Sequence, residues 1–596
     1  MMELHVRSDK YFSESKVCCV NGNWGVEDIR SHALVHKLPR KEQFLLLMKH
    51  PYTVYFKGRL CVSVLKGNVE VLGCSMSART SAGRVVYSPK GSSMLSIETC
   101  FPFPPNDLDY EVMDKNLDVF NLGLSEDIIA KMRHRDCVIL LEAPRPSLLE
   151  GYMKTLPPFM HLFTFTEMKE RNAKEREGSP FYKVEEMLQC VFELPHTARH
   201  MKRHRKGPDW DETANSIIKE SSCTVVCGGK GVGKSTFVRF LINRSLPLFG
   251  QVLCLDFDPG QPEFTIPGCV SAVIVKEPLL GPSFTHLSTP ECMVFIGEVN
   301  ISQCPAQYME SVQYVTSYCH SQPELMRMPW IVNTMGFNKG VGVDITTSVI
   351  RLLKPQHVIQ IQSVNAEFNF PELLCPSYVC SYQNRFCELP SGPCDSLQYV
   401  LHTMKTVAED RKAMSPWGMG APQLREAVIL SYLSQMVQPP KYILTETVPY
   451  MTLFSKVTLC VCHVKLPFYQ ILSAFNGNLV ALCSYSGTMT LLPDDPQLPS
   501  VLGQQPVCPC LGFGVVRGID MQEKRLFLIT PIPEVILSSV NCLMLGTVML
   551  PSYVYVHASE HEGEIPYVAT GLGHPLSKVA GRFFRPLKPA YGTRKK

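Results

Sequence analysis

Short apolar runs that alternate with polar residues dominate the first part of the chain. Residues from about 16 to 100 include the strings TVYFKGRLCVSVLKGNVEVLG and RVVYSPKGSSMLSIE, which Gly, Asn, Ser and Pro interrupt at short intervals. Alternation with a period of two between frequent turns is typical of antiparallel strands. We therefore predict an N-terminal β-rich domain at residues 1–200, which ends in a helical linker with a basic segment between Lys169 and Lys206.

The pattern changes at Cys223. Compact β-branched runs, CTVVC, QVLCLDFD, WIVNTM and HVIQIQ, are separated by helical segments such as STFVRFLINRSL and VDITTSVIRLL. Strands that alternate with helices predict a parallel sheet with helices on both faces. The pattern therefore indicates an α/β domain, which we place at residues 201–438.

Strand-like runs and proline-rich loops return after Pro440, as in KVTLCVCHVKL, LGFGVVRGID and KRLFLITPI. The simplest interpretation is a second flanking β-rich domain, at residues 439–596. Its last part, from Arg582 to Lys596, is basic with interleaved aromatic residues, and we expect it to be an unpacked tail.

Composition narrows the class of protein further. The 596 residues carry 58 basic and 54 acidic side chains, so the net charge of +4 does not by itself indicate a nucleic-acid or membrane surface. No apolar stretch is long enough for a membrane span, and the first residues lack the core of a secretion signal, so we expect a soluble intracellular protein. The 24 cysteines fall largely in strand-like runs, which favours buried thiols. Even the tightest group lacks the short spacing of a structural zinc site: Cys375, Cys380, Cys387 and Cys394.

The string GGKGVGKS satisfies the phosphate-loop pattern GxxxxGK[ST], directly after a predicted strand and before a predicted helix. Its glycines let main-chain N–H groups surround phosphates, Lys234 reaches the β and γ oxygens, and the Ser235 hydroxyl ligates Mg²⁺. A glycine-rich turn without a ligand is the alternative. The predicted nucleotide-binding residues are Gly228, Gly229, Lys230, Gly231, Val232, Gly233, Lys234, Ser235 and Thr236.

Two carboxylates end the next strand. Asp256 and Asp258 are two residues apart, so their side chains should point to the same side, and the Pro259-Gly260 turn should bring Gln261 and Glu263 to the ligand-binding edge of the sheet. One carboxylate can hold Mg²⁺ together with Ser235, and the other can accept a proton from a substrate hydroxyl. We assign the metal to Asp256 and the proton to Asp258. The reverse assignment, and solvated strand caps, remain open.

A guanine-binding NKxD string is absent, since Asn338-Lys339 is followed by Gly-Val. A GTP-dependent switch is therefore the weaker hypothesis. Transfer of a phosphoryl group from ATP to an acceptor is the stronger one.

Three blocks, in the right order, resemble the P-loop polynucleotide 5'-hydroxyl kinases of RNA processing, and most closely their nucleolar members. The first is the phosphate loop. The second, DFDPGQPE followed by IPG, resembles the family's DxDxGQ...IPG metal-site block. The third, NTMGFNKGVG, resembles the NTxGWxxGxG clasp that holds the terminal nucleotide, with Phe337 in place of the usual Trp. Upstream, the family's TSP string is replaced by residues 297–302, where Asn300 or Ser302 could offer a polar contact.

The resemblance implies an ATP- and Mg²⁺-dependent kinase that phosphorylates RNA 5'-hydroxyl ends during pre-ribosomal RNA processing and ribosome biogenesis in the nucleolus. It further implies an endoribonuclease partner, for which the basic tail is a candidate docking element, and a lid arginine, either Arg411 or Arg425. A catalytically silent, ATP-bound scaffold remains the alternative. The resemblance implies catalytic roles for Lys234, Asp258, Gln261 and Arg425, and a substrate clasp of Thr334, Gly336 and Phe337.

Overall fold

The computed structural model describes most of the chain. The described residues are 32–38, 42–79, 82–100, 107–120, 122, 124–163, 181–193, 204, 206–385, 397–407, 419–487, 491–492 and 499–555. Three sheets follow one another along them. The predicted basic tail, most of the predicted linker and the lid segment around Arg411 lie outside the described residues.

The N-terminal sheet confirms the prediction of a β-rich region, and its pairings are antiparallel. Its longest strand, β3, pairs with β6, β7, β8 and β9 and holds the sheet together. The strands are β1 (Ala33–Lys37), β2 (Gln43–Met48), β3 (Thr53–Lys66), β4 (Asn68–Val71), β5 (Cys74–Ser77), β6 (Arg84–Ser88), β7 (Leu95–Thr99), β8 (Cys137–Glu142) and β9 (Val191–Glu193). The helices are α1 (Asp107–Val119), α2 (Glu126–Arg133), α3 (Leu148–Thr155) and α4 (Tyr182–Leu188).

The central sheet has the strand order β13-β12-β11-β14-β10-β15-β16. Its strands are β10 (Cys223–Gly228), β11 (Val252–Phe257), β12 (Cys269–Val275), β13 (Cys292–Phe295), β14 (Trp330–Thr334), β15 (His357–Gln362) and β16 (Val400–Lys405). The strands from β11 to β16 in that order are parallel, as predicted. β12 and β13 are antiparallel additions at one edge, which the alternation of strands and helices did not predict.

Helices cover both faces of this sheet, as the sequence predicts. The helices of the region are α5 (Trp210–Ile217), α6 (Lys234–Phe249), α7 (Pro305–Ser321), α8 (Pro323–Met326), α9 (Val341–Leu353) and α10 (Pro376–Ser381). Apolar side chains of α6 share one core with Val226 and Cys254 and with the N-terminal sheet. Side chains of α7 and α9 share another with Val225 and Leu255. Successive strand residues thus enter opposite cores, because strand side chains alternate.

The C-terminal sheet is mixed, with the order β17-β23-β22-β19-β24-β18-β21-β20. Its strands are β17 (Tyr450–Leu453), β18 (Thr458–Val461), β19 (Leu479–Cys483), β20 (Leu491–Leu492), β21 (Ser500–Leu502), β22 (Cys510–Asp520), β23 (Arg525–Ile529) and β24 (Cys542–Leu545). The helices are α11 (Ala421–Leu433), α12 (Ile471–Phe475) and α13 (Glu534–Leu537). One core joins α11, α3, the edge of the central sheet and the C-terminal sheet.

The cysteines of the described residues carry free thiols, and most of them are buried. Cys375 and Cys380 are free and partly exposed, whereas Cys387 and Cys394 lie outside the described residues. In the part of the chain that the structure describes, no helix combines the length and apolar character needed to cross a bilayer.

Candidate active site

The phosphate-loop sequence lies between β10, which ends at Gly228, and α6, which begins at Lys234. Gly231 and Gly233 have φ angles of 71° and 106°, in the left-handed region that side chains with a Cβ rarely adopt. The Lys234 side chain is only 6% exposed, and its Nζ donates a hydrogen bond to the Gly229 carbonyl at 3.0 Å. The loop therefore folds back over its own lysine at the start of the helix.

Two other loops hold the phosphate loop from outside. A Cβ on Gly229 would lie 2.2 Å from the Phe368 carbonyl oxygen, and a Cβ on Gly336 would lie 2.8 Å from the Lys230 Cα. The two loops are joined to each other by Asn338, whose Nδ2 donates to the carbonyls of Glu367 and Asn369. Only glycine at positions 229 and 336 allows these close approaches, which fix the shape of the phosphate loop.

Asp258 lies just beyond the end of β11, next to the phosphate loop. Its Oδ1 accepts hydrogen bonds from the main-chain N–H groups of Gly260 and Gln261, at 3.1 and 3.2 Å. Burial raises the pKa of the Asp258 carboxyl above its ordinary value, while the nearby Lys234 ammonium and these N–H groups lower it in part. Asp258 is therefore a carboxylate held in place through one oxygen, within the field of the loop lysine.

Asp256 is more deeply buried, with 1% of its surface exposed. Its Oδ1 accepts a hydrogen bond from Asn333 Nδ2 at 2.9 Å, and its Oδ2 accepts one from the Glu263 N–H at 2.5 Å. Burial raises its pKa to about 7, although these two hydrogen bonds act in the opposite direction. Asn333 belongs to the third motif block, so this contact joins the metal-site block to the clasp block. No local signal in the sequence predicted it.

The Glu263 side chain is buried, although the sequence predicts that this residue lies at the ligand-binding edge of the sheet. Its carboxylate is 1% exposed and accepts two hydrogen bonds from Arg239, at 2.5 and 3.0 Å, and its Oε1 lies 2.7 Å from His286 Nε2. Burial alone would raise the pKa of Glu263, but Arg239 and His286 outweigh burial and lower it to about 2. Glu263 also donates its N–H to Asp256. The contacts of Glu263 with Arg239 and His286 therefore help to hold Asp256 in place.

We expect Glu263→Gln to lower the free energy of unfolding by about 3 kcal/mol at pH 7, since the Arg239 guanidinium would lose its buried counter-ion. A carboxyl with a lowered pKa stabilises the native state above its unfolded pKa, and that stabilisation is lost as the pH falls toward 2. The difference in unfolding free energy between wild type and Glu263→Gln, measured by urea titration, should therefore narrow as the pH falls from 5 to 3. Glu277→Gln, in an exposed ion pair with Arg84, is the matched control and should cost under about 0.5 kcal/mol.

The three predicted clasp residues lie at the end of β14 and in the loop after it, but they are not equivalent. Thr334 is buried, and its hydroxyl donates to the Val226 carbonyl at 2.7 Å, so this side chain joins β14 to the phosphate-loop strand. Gly336 contacts Lys230. The Phe337 side chain is 36% exposed and is therefore not a core residue.

For the remaining predicted site residues, the structure gives the location and the exposure of the side chain. Ser235 and Thr236 lie half-buried in the first turn of α6, and the Gln261 side chain is exposed on the turn after Asp258. Arg425 lies in α11, which packs against α3 and the C-terminal sheet. Among the described contacts, no hydrogen bond or ion pair joins Arg425 to the phosphate loop, so its lid role stays a prediction.

A glycine-rich loop between a parallel strand and a helix, with carboxylates at the end of a nearby parallel strand, defines the P-loop class of nucleotide-binding proteins. Comparison with known families narrows this class. Residues 228–381 match the P-loop domain of the mRNA cleavage and polyadenylation factor CLP1. Residues 32–193 match the N-terminal domain of "Polynucleotide 5'-hydroxyl-kinase NOL9", and residues 445–551 match the NOL9-like C-terminal domain.

Individual relatives agree with these matches. The bovine protein named "Polynucleotide 5'-hydroxyl-kinase NOL9" is 31% identical over 574 residues, which cover 87% of this chain and 77% of the relative. The human protein of the same name is 30% identical over 90% of this chain and 78% of its own length. Among solved structures, a Clp1p chain in complex with Pcf11p covers 86% of this chain at 13% identity, with a TM-score of 0.48. The chain belongs to the NOL9 polynucleotide 5'-hydroxyl-kinase family.

Proposed function

We propose that this protein transfers the γ-phosphoryl group of ATP to the 5'-hydroxyl end of RNA. The observation that carries the proposal is that Lys234 lies near enough to Asp258 to lower the pKa of its carboxyl. A phosphate-loop lysine and a carboxylate fixed by two main-chain N–H groups share one electrostatic environment. Phosphoryl transfer to an alcohol needs both a cation for the phosphate oxygens and an acceptor for the hydroxyl proton.

In the proposed reaction, the 5'-hydroxyl oxygen bonds to the γ-phosphorus as the bond from the γ-phosphorus to the β-γ bridging oxygen breaks. The proton of the hydroxyl passes to Asp258, and ADP leaves. Lys234 and the N–H groups of the phosphate loop neutralise the charge on the phosphate oxygens, and Gln261 orients the acceptor. Because this chemistry depends mainly on positioning and electrostatics, the rigid surroundings of the phosphate loop support the proposal.

The oxygen donors at the start of α6 and the end of β11 suit a hard divalent ion such as Mg²⁺. We propose that Ser235 and Asp256 hold it. Asp256 Oδ1 accepts N–H groups from Asn333 and Asp258, whereas Oδ2, within the described part of the chain, accepts only the Glu263 N–H, which leaves a lone pair of Oδ2 for a hydrated ion. When bound, Mg²⁺ would neutralise charge on the β- and γ-phosphates.

The decisive experiment offers the purified protein labelled ATP with 5'-hydroxyl RNA, 5'-phosphate RNA and 5'-hydroxyl DNA. We expect label to appear on 5'-hydroxyl RNA and not on 5'-phosphate RNA. ATP binding without transfer to any of them would favour the nucleotide-bound scaffold. A parallel assay replaces labelled ATP with labelled GTP. Faster transfer from GTP than from ATP would contradict the assignment of ATP as the donor.

The Phe337 ring supports a stacking contact with the terminal base, because it is exposed beside the phosphate loop. We expect Phe337→Ala to raise KM for the RNA acceptor roughly tenfold, as base stacking contributes about 1–3 kcal/mol. Phe337→Trp should lower it. Leu248→Ala removes an exposed apolar side chain near the opposite end of α6 and should leave KM unchanged.

The family membership supports three wider proposals. The protein acts in pre-ribosomal RNA processing and ribosome biogenesis, it is located in the nucleolus, and its partner is an endoribonuclease that leaves 5'-hydroxyl ends. The three sheets support a division into domains at residues 1–200, 201–438 and 439–596.

A further inference from the structure

The C-terminal sheet is hydrogen-bonded to the chain that follows β13 of the central sheet. The Ile296 carbonyl accepts hydrogen bonds from His463 Nε2 at 2.6 Å and from Gln505 Nε2 at 2.8 Å. The next carbonyl, that of Gly297, accepts one from the Thr547 N–H at 2.7 Å. Three separate parts of the C-terminal domain therefore converge on two successive peptide groups.

This contact leaves no room for a side chain at position 297 or 546. Gly297 has a φ of 82°, and a Cβ on it would lie 2.8 Å from the Cys462 Cβ. A Cβ on Gly546 would lie 2.7 Å from the Gly297 carbonyl oxygen. His463 itself has a φ of 60°, a conformation that residues other than glycine adopt rarely and at some energetic cost. Such a residue persists where its surroundings hold it in place.

The same two residues, Ile296 and Gly297, connect to the carboxylate turn. The N–H groups of Ile296 and Gly297 donate to the Gly268 carbonyl, and the Gly268 N–H donates to the Pro259 carbonyl at 2.8 Å. Pro259 directly follows Asp258. A series of main-chain hydrogen bonds therefore leads from Thr547 of the C-terminal domain to Pro259, the residue next to the proposed base.

A second connection runs through residues 297–303, which we name the acceptor segment. Glu298 Oε1 accepts the N–H groups of Val299 and Asn300, both at 2.8 Å, which fixes the start of this segment. The Val299 carbonyl lies 3.2 Å from the position of a Cβ on Gly260. The exposed side chains of the segment are polar and uncharged: Asn300, Ser302 and Gln303.

We propose that His463, Gln505 and Thr547 are positioning residues, through which the C-terminal domain fixes the acceptor segment beside Asp258 and thereby sets the affinity for the strand end. The inference rests on the proposed function and deepens it. The ATP side of the site is held by other contacts, those of Gly229 and Gly336. Loss of the C-terminal contacts should therefore affect acceptor binding and leave ATP binding unchanged.

The test compares wild type, His463→Ala and His463→Gln. In His463→Ala, KM for 5'-hydroxyl RNA should rise about fivefold, as expected for one lost hydrogen bond, while KM for ATP stays unchanged. His463→Gln restores an N–H donor of similar reach and should recover most of the affinity. Hydrogen exchange of peptides covering 297–303 should speed up in the alanine variant only.

Tyr555→Phe is the matched control. It removes a hydrogen bond from the Tyr555 hydroxyl to the Gly477 carbonyl, which is within the C-terminal region and is not one of the three hydrogen bonds to Ile296 and Gly297. It should change neither KM nor the exchange of residues 297–303.

Two results would overturn the inference while the proposed function stands: an unchanged acceptor KM in His463→Ala, or an equal rise of both KM values. Wild-type protein that labels no 5'-hydroxyl acceptor would refute the proposed function, and the inference with it. Measuring wild type first separates these failures.

Discussion

Replacing Lys234 with alanine should abolish detectable labelling of 5'-hydroxyl RNA by ATP, with a fall in kcat/KM of at least about 100-fold. The Lys234 ammonium is buried at the start of α6, where it can neutralise charge that spreads over the γ-phosphoryl oxygens in the transition state. An alanine leaves those oxygens without this buried cation. Steady-state kinetics with labelled ATP at saturating RNA measures the effect.

The result is informative only if the variant folds. Lys234 donates a hydrogen bond to the Gly229 carbonyl, so we expect Lys234→Ala to lower the free energy of unfolding by about 2 kcal/mol, and a urea titration must show that the variant is folded under the assay conditions. Lys276→Ala, which removes an exposed lysine of the same domain, should retain wild-type kinetics. Near-normal transfer by a folded Lys234→Ala protein would show that the chemistry lies elsewhere.

Local sequence predicted the parts of the site that depend on local geometry. The phosphate loop needs glycines at positive φ between a strand and a helix, and that requirement is written in consecutive residues from Gly228 to Ser235. The geometry at Asp258 is also local, because an aspartate before Pro-Gly accepts hydrogen bonds from the N–H groups of its own turn. In both cases the partners are neighbours in the chain.

The parts that sequence did not predict depend on distant partners. Arg239 and His286 approach Glu263 from different elements, so the strand-end pattern, which placed Glu263 at the ligand-binding edge, could not show that its carboxylate is buried against them. The antiparallel edge strands β12 and β13 follow the turn after β11, and their short apolar runs do not encode direction. His463 likewise has no recognisable motif, because its role depends only on the position of the Ile296 carbonyl.

Asp258→Asn should also abolish transfer, and it separates a base from a structural residue more sharply than alanine does. Asparagine keeps an Oδ1 that can accept the N–H groups of Gly260 and Gln261, so the turn should remain folded. It loses the ability to take the proton of the acceptor hydroxyl, a contribution worth about 100-fold or more. ATP affinity should stay near that of wild type, which equilibrium binding of a labelled analogue would establish.

The matched control is Asp520→Asn, because Asp520 also accepts two main-chain N–H groups through Oδ1, in a turn of the C-terminal sheet. That variant should transfer phosphate normally.

The pH dependence of the transfer rate gives an independent test of Asp258 as the base. Burial raises the pKa of Asp258, so the wild-type rate should decline as the pH falls through a value above the ordinary carboxyl range of about 4. The residual rate of Asp258→Asn should lack this acid limb. An acid limb that persists in the asparagine variant would assign the proton to another group, with Asp256 the first to test, since burial raises its pKa to about 7.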